Sequence, residues 1–365
     1  MKKLKFFLKG LLLAGPVLGL MIYVNYTVDP SGLFHGGQFE REAVELLLEG
    51  HPISNYDALD SYTRSINEAL IMNSDPFDTI VIGSSRCMQI NAEMAGEKNR
   101  FLNMGVIAGD YQDLFGTFYI CVRENKLPKR VILSMDPWML NINEVDSRSN
   151  RDLYLEFIKG KLGFEANYDL PDPAAKWEAL LDPAYFQGAI DYQRRDTSGE
   201  AKPEAVTQDL YEQTTTVKMP DGTILYDKSF RERSAAQVEE AIMAVAFSSS
   251  VGFRVSNYHE PSPELCRQFE AYVTFMQERG IEVIFYLPPY PNAIYDRIAE
   301  KSSEYGYEGV FKTEEYLRTL AAKKGIALYG SYDPYSLGLT HRDFYDHLHL
   351  RADSTPKIFD LSAES

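Results

Sequence analysis

Thr79-Ile80-Val81-Ile82-Gly83-Ser84-Ser85-Arg86 is the stretch that decides the fold. Four β-branched residues in a row, without polar alternation, fit a strand covered on both faces, and such strands belong to parallel sheets. Asp75-Pro76-Phe77-Asp78 forms the turn that introduces it. Gly83-Ser84-Ser85 then puts a hydroxyl just past the carboxyl end of the strand. Arg130 to Met135 (RVILSM), Ile281 to Leu287 (IEVIFYL) and Ile326 to Tyr329 repeat the strand pattern. Helical segments separate them: Tyr111 to Glu124, Pro263 to Arg279 with Gly280 as its stop, and Glu314 to Lys324 before Gly325. The alternation predicts an α/β three-layer sandwich with a mostly parallel central sheet. Its helices lie on both faces and its ligands bind beyond the carboxyl ends of the strands.

Outward from this core, Phe39 to Leu48 and Tyr62 to Met72 read as amphipathic helices leading into the first strand. Between about 140 and 260 the rhythm lapses into a polar, Asp-Pro-rich tract. Within it Met219-Pro220-Asp221-Gly222-Thr223 reads as the turn of a hairpin joining Thr215 to Lys218 and Ile224 to Tyr226. Trp177, Tyr185, Phe186 and Tyr192 offer this tract a packed face, so it reads as an inserted subdomain rather than a linker. The expected organisation is a terminal helix over 1–27, a helical lead-in over 28–74, and an α/β domain over 75–365 that contains the insertion.

The terminal segment has a membrane signature. Lys2, Lys3, Lys5 and Lys9 precede the apolar stretch Gly10 to Val24, with Tyr23 and Tyr26 at its far edge as interfacial aromatics. Counted from Phe6, it approaches the roughly twenty residues needed to span a bilayer, with Lys9 snorkelling to the interface. An uncleaved signal anchor is the leading reading; a cleaved signal peptide and a buried helix are the alternatives. Lysines before the span place the remainder outside the cytoplasm, so the expectation is a single-pass cell-membrane protein with its large domain extracytoplasmic.

Composition narrows the chemistry. A formal charge of −16 over 365 residues argues against nucleic acid, whose phosphates require clustered Lys and Arg. The 24 tyrosines and 20 phenylalanines supply ample core. Three cysteines, Cys87, Cys121 and Cys266, have neither disulfide-framework nor metal spacing and read as core residues. No cofactor or metal is expected.

Near the C-terminus, Asp346-His347-Leu348-His349 provides a carboxylate three residues before an imidazole. With Ser85 it completes the minimum set for nucleophilic acyl transfer: Ser85 attacks, His349 takes its proton, and Asp346 orients and stabilises the imidazole. A helical turn would put positions i and i+3 on one face. Blander readings exist for each group. Ser84 and Ser85 would serve equally as a helix N-cap, and His341, Asp343, His347 and His349 carry metal-ligand chemistry. Arg86 suits either an anionic substrate group or a pairing with Asp136 or Asp110. Trp138, Tyr286, Tyr290 and Tyr335 suit either a sugar-binding cleft at the strand ends or the core, and Asp136 stands at the same edge.

In their order and flanking strands, Gly83-Ser84-Ser85 and Asp346-x-x-His349 resemble the SGNH or GDSL hydrolase superfamily. The resemblance implies a flavodoxin-like α/β fold, Ser85 as nucleophile, and Asp346 and His349 as its triad partners. Asn103 to Asp110 (NMGVIAGD) resembles the second family block, which implies oxyanion donors from the backbone N–H of Ser85 and of Gly105 or Gly109. The family's Gly-x-Asn-Asp block is replaced here by Ser134-Met135-Asp136-Pro137-Trp138, so no Asn supplies a side-chain oxyanion donor at that position. The basic N-terminus, the apolar segment and Asp29-Pro30 just beyond it sharpen the likeness. They resemble membrane-anchored members of cell-envelope polymer O-acylation, the D-alanyl transfer and exopolysaccharide O-acetylation proteins. This implies a polysaccharide or teichoic-type polymer, an acyl donor and a polytopic membrane O-acyltransferase as partners. Arg86, Asp136, Trp138 and Tyr290, by their place at the strand ends, are the candidate substrate contacts. An esterase or deacetylase with water as acceptor, and a noncatalytic polymer-binding or partner-binding scaffold, are the alternative functions.

Overall fold

A computed structural model describes residues 2–30, 33–34, 38–54, 62–97, 100–166, 174–198, 203–248 and 251–361. The chain begins with helix α1 (Lys2–Val28), α2 (Gln38–Leu48), strand β1 (Ile53–Ser54) and α3 (Thr63–Asn73). Then come β2 (Thr79–Ile82), β3 (Phe101–Asn103), α4 (Tyr111–Arg123) and β4 (Arg130–Ser134). The insertion carries α5 (Arg151–Gly160), α6 (Pro183–Ser198), β5 (Glu204–Ala205), β6 (Val217–Lys218), β7 (Ile224–Leu225) and α7 (Ala235–Ala246). Helix α8 (Pro263–Gln277), β8 (Glu282–Leu287), α9 (Asn292–Glu300), α10 (Glu308–Lys324) and β9 (Ala327–Gly330) close the main domain.

The central sheet has the order β3-β2-β4-β8-β9, and every pairing in it is parallel. Strand β2 therefore stands between its immediate successor on one side and the other three strands on the other. This is a topological switch point, where a crevice opens at the carboxyl ends, and Ser85 lies at that place.

One face of the sheet, with Ile80, Ile82, Val131, Leu133, Val283 and Phe285, packs into the main core against Leu114, Phe118, Tyr272 and Val273 of helices α4 and α8. The opposite face, with Val81, Ile132, Ile284 and Tyr286, differs from the expectation of a helical layer on each side. It is covered by Cys87 and Ile90 from the segment after Ser85 and by Phe344, Leu350 and Phe359 from the C-terminal segment. That segment contains only single turns of 3-10 helix. A burying layer needs apolar side chains at the right spots, not a regular backbone, and here irregular chain supplies them.

Helix ends follow local chemistry. Asp110 accepts from the N–H groups of Gln112 and Asp113, and Asp113 reaches back to the cap, a reciprocal box that starts α4. Gly325, with φ +65°, ends α10.

A second sheet, β5-β1-β6-β7, is antiparallel throughout. Its β1 comes from the lead-in and the other three strands from the insertion, so the two segments share one structure. The predicted hairpin is β6-β7, and its turn docks on the main sheet: Asn103 N donates to Asp221 O at 2.8 Å. Gly222 has φ +81° there, and a Cβ would fall 2.1 Å from Asn103 O. Trp177 is 51% exposed, although its ring meets Phe34 with centroids 5.5 Å apart, and the side chain of Tyr192 lies outside the described residues. Among the described residues no helix is long and apolar enough to cross a membrane.

Candidate active site

Loops after β2, β3, β4 and β8 and the Asp346–His349 loop converge at the carboxyl edge of the sheet. After β2 the chain turns sharply: Ser84 caps a 3-10 turn over Ser85–Cys87, its hydroxyl accepting from Arg86 N–H at 3.2 Å. Capping is thus the task of Ser84, which leaves Ser85 free to face outward. Ser85 is half-buried, and its Oγ lies 2.9 Å from His349 Nε2. On the far side of the ring, His349 Nδ1 lies 3.0 Å from Asp346 Oδ2 and 3.2 Å from Oδ1.

The Asp-x-x-His segment is the tip of a tight loop rather than a helical turn. An antiparallel bridge pairs Phe344 with Leu350, and Tyr345 N donates to His349 O at 2.9 Å. Asp346 Oδ1 accepts the N–H groups of Leu348 at 2.8 Å and His349 at 2.7 Å. The carboxylate therefore folds the loop and orients the ring at once. Burial works to raise the Asp346 carboxyl, but His349 and the two backbone donors outweigh it and hold it well below the usual carboxylate range. His347 is half-buried, and burial lowers its imidazole.

Of the two oxyanion candidates, Gly105 already donates its N–H to Asn103 Oδ1 at 2.9 Å. Gly109 makes only a long 3.3 Å bond to Val106 O. Gly109 backs directly onto the nucleophile turn, where a Cβ would stand 3.0 Å from Gly83 O and 3.3 Å from Ser84 Cα. Ala108 before it has φ +53°, and Trp138 Nε1–H donates to Gly109 O at 2.9 Å. The indole thus holds this loop in place.

The candidate substrate contacts are distributed differently from the sequence expectation. Trp138 and Tyr290 are buried, as is Tyr286, so none of the three lines an open cleft. Tyr335 is exposed and donates to Asp296 at 2.7 Å. Arg86 and Asp136 form a buried ion pair at 3.0 Å, which is the pairing alternative rather than the substrate one. Burial raises the Asp136 carboxyl, with the Arg86 charge opposing it. Asn141 donates to Arg254 O at 3.2 Å, and so does not replace the missing Asn donor.

Asp343 is occupied by Lys357, Ser354 and Thr340. Among the described residues no group of three His, Cys, Asp or Glu side chains could hold a metal ion. The cysteine thiols of Cys87, Cys121 and Cys266 are free, and burial raises all three.

One neighbour was not readable in advance. Tyr226, from the insertion just past β7, sets its ring edge-on to His349 with centroids 5.9 Å apart, and packs against Tyr345 and Phe230. A tyrosine after a hairpin strand carries no motif, so only the docking of the insertion reveals it. No family model matches this chain, and no curated protein matches it.

Proposed function

We propose that this chain is a serine-dependent O-acyltransferase of the SGNH type, acting outside the cytoplasm on a cell-envelope or extracellular polysaccharide. The observation that carries the reading is the continuous relay from Ser85 Oγ through both nitrogens of His349 to Asp346. Ser85 Oγ attacks the donor's acyl carbon as its proton passes to His349 Nε2, and the imidazolium is stabilised by Asp346. Backbone N–H groups of Ser85 and Gly109 are the donors assigned to the oxyanion. The donor's leaving oxygen departs with the proton from Nε2, leaving acyl-Ser85. An acceptor hydroxyl then attacks that ester and gives its proton to Nε2, which passes it to the departing Ser85 Oγ as the acyl group leaves on the acceptor, restoring Ser85 and neutral His349.

No described helix is long and apolar enough to cross a membrane, so the support for a location at the cell membrane is the lysine-flanked apolar sequence of the N-terminal segment, and a membrane-associated domain suits a polymer acceptor and a polytopic acyltransferase as partner. Hydrolysis uses the same residues with water as acceptor. The side chain of His349 is 19% exposed, which keeps that second reading open to water.

The test is fluorophosphonate labelling of the full chain in detergent, with intact mass to locate the adduct. The expected result is an adduct at Ser85 that is absent from Ser85→Ala and slowed by orders of magnitude in His349→Ala. A folded protein that takes no label overturns the acyl-enzyme reading. Acetyl donors offered with and without carbohydrate acceptors then separate transfer from hydrolysis.

A further inference from the structure

We propose that Arg86 is a positioning residue, whose buried guanidinium fastens the Asp346–His349 loop to the sheet edge and so sets His349 against Ser85. This rests on the serine-nucleophile reading above. Arg86 Nε donates to Leu348 O at 3.1 Å, the carbonyl immediately before His349. Nη1 donates to Asp136 Oδ1 at 3.0 Å, and Nη2 donates to Pro288 O at 2.9 Å and to Pro289 O. One side chain thus ties the turn after β2 to the loops after β4 and β8 and to the triad loop.

Phe344 and Leu350 seat the base of the triad loop on the sheet, and the connection matters because, among the described residues, the hydrogen bonds that reach its tip from outside come from Ser85 and Arg86. Among the described residues Asp346 hydrogen-bonds only within the loop, to Leu348 and His349. On the outer side the loop meets rings of the insertion, Tyr226 and Phe230 against Tyr345. From the sheet side, Leu348 O is the anchor, and the residue holding it is the chain neighbour of the nucleophile. Displacement of Leu348 moves His349 relative to Ser85.

An arginine suits this position for a geometric reason. Its five N–H donors lie in one rigid plane, and here they reach acceptors on three separate loops, which the compact ammonium of a lysine cannot span. Asp136 supplies the charge that lets the guanidinium stay buried. The rings of Tyr290, 4.6 Å from the guanidinium carbon to the centroid, and Trp138, at 5.9 Å, pack around it. Arg86 is 4% exposed, so it has no open face to offer an anionic substrate.

The test uses the full chain and two variants. Arg86→Lys keeps the charge but not the fork. The double variant Arg86→Met with Asp136→Leu removes both charges together, a change that buried pairs often tolerate without loss of stability. Urea unfolding and circular dichroism establish that each is folded. Two measurements follow: the rate of fluorophosphonate labelling at Ser85, and the ring NMR signals of His349, assigned through His349→Ala. The expected result is a folded double variant that labels about 10²-fold more slowly, the scale of a displacement near 1 Å, with His349 signals shifted. A variant folded as wild type, labelling at the wild-type rate with unshifted His349 signals, overturns the proposal. An unlabelled wild type overturns the proposed function itself, and with it the catalytic meaning of Arg86.

Discussion

At the scale of single residues, what was legible in the sequence was chemistry that depends on side chains alone. Ser85, Asp346 and His349 could be named because hydroxyl, carboxylate and imidazole carry their roles in their own atoms, and the structure brings these three together. Arg86 could not be resolved the same way, because three of its four partners are backbone carbonyls, which have no sequence signature. The carboxylate of Asp346 both closes the loop and orients the ring, so Asp346→Asn should leave a folded protein with labelling at Ser85 slowed by up to about 10⁴-fold. The same experiment on a sample verified by circular dichroism checks it. Lys218 was equally invisible. Burial lowers its ammonium to about 8 from the ordinary 10.5, with Asp221 opposing, and the ammonium donates to Gly222 O at 3.2 Å. A folded value below the unfolded one means the unfolded chain binds the proton more tightly between pH 8 and 10.5, so this lysine's contribution to stability rises through that window and is lost as pH falls through 8. Lys218→Met should therefore stabilise the protein at pH 7 by as much as about 3 kcal/mol. That gain should shrink toward pH 10.5. Urea unfolding of both proteins at each pH measures the difference, in which other titrating groups cancel.

At the scale of elements, β2, β4 and β8 were readable because each is a continuous apolar run buried on both faces. Strand β3 was not, since it is three residues long and its Asn103 side chain donates inward to Cys87 O and Ile90 O rather than signalling a strand. The covering of the second sheet face was also illegible, because irregular chain has no period to detect. The close fit of the strands at the site makes a direct prediction. Strands β2 and β4 are parallel neighbours, and a Cβ on Gly83 would stand 2.5 Å from Ser134 Cβ and 3.1 Å from Ser134 O. A Cβ atom cannot rotate away, so Gly83→Ala must push the ends of the two strands apart. The expected cost is about 1–3 kcal/mol in urea unfolding. Slower labelling at Ser85 should accompany it, because the nucleophile turn begins at that glycine. A variant with unchanged midpoint and unchanged labelling would show that the strand ends are looser than this packing requires.

At the scale of the whole molecule, the insertion is joined to the segments on both sides of it. It shares a sheet with the lead-in through β1, lays Tyr226 on His349, and grips the end of α1. The grip is specific: the Asn25 amide donates to Ala179 O at 3.0 Å and Leu180 O at 3.1 Å, and Tyr185 OH donates to Asp29 Oδ1 at 2.6 Å. Phe34 sits between Tyr26 and Trp177, 5.5 Å from each ring. These contacts hold the turn that carries Trp177 and Leu181, both about half exposed, against α1, whose last turns carry Tyr23 and Tyr26 at the end of the apolar segment. If that segment lies in a bilayer, Trp177 is carried to the interface, where indoles are favoured. With a formal charge of −16, general attraction to anionic lipid does not explain such an approach. The chain has two tryptophans, and Trp138 is 1% exposed in the interior, so both emit but quenching by bromine on the acyl chains reads Trp177. Full-length protein in nanodiscs with brominated acyl chains should show quenched emission, and Trp177→Phe should abolish the quenching. Protein held in the discs with unquenched Trp177 would place the insertion away from the lipid. The orientation of the Ser85 crevice relative to the membrane would then have to be set by another surface.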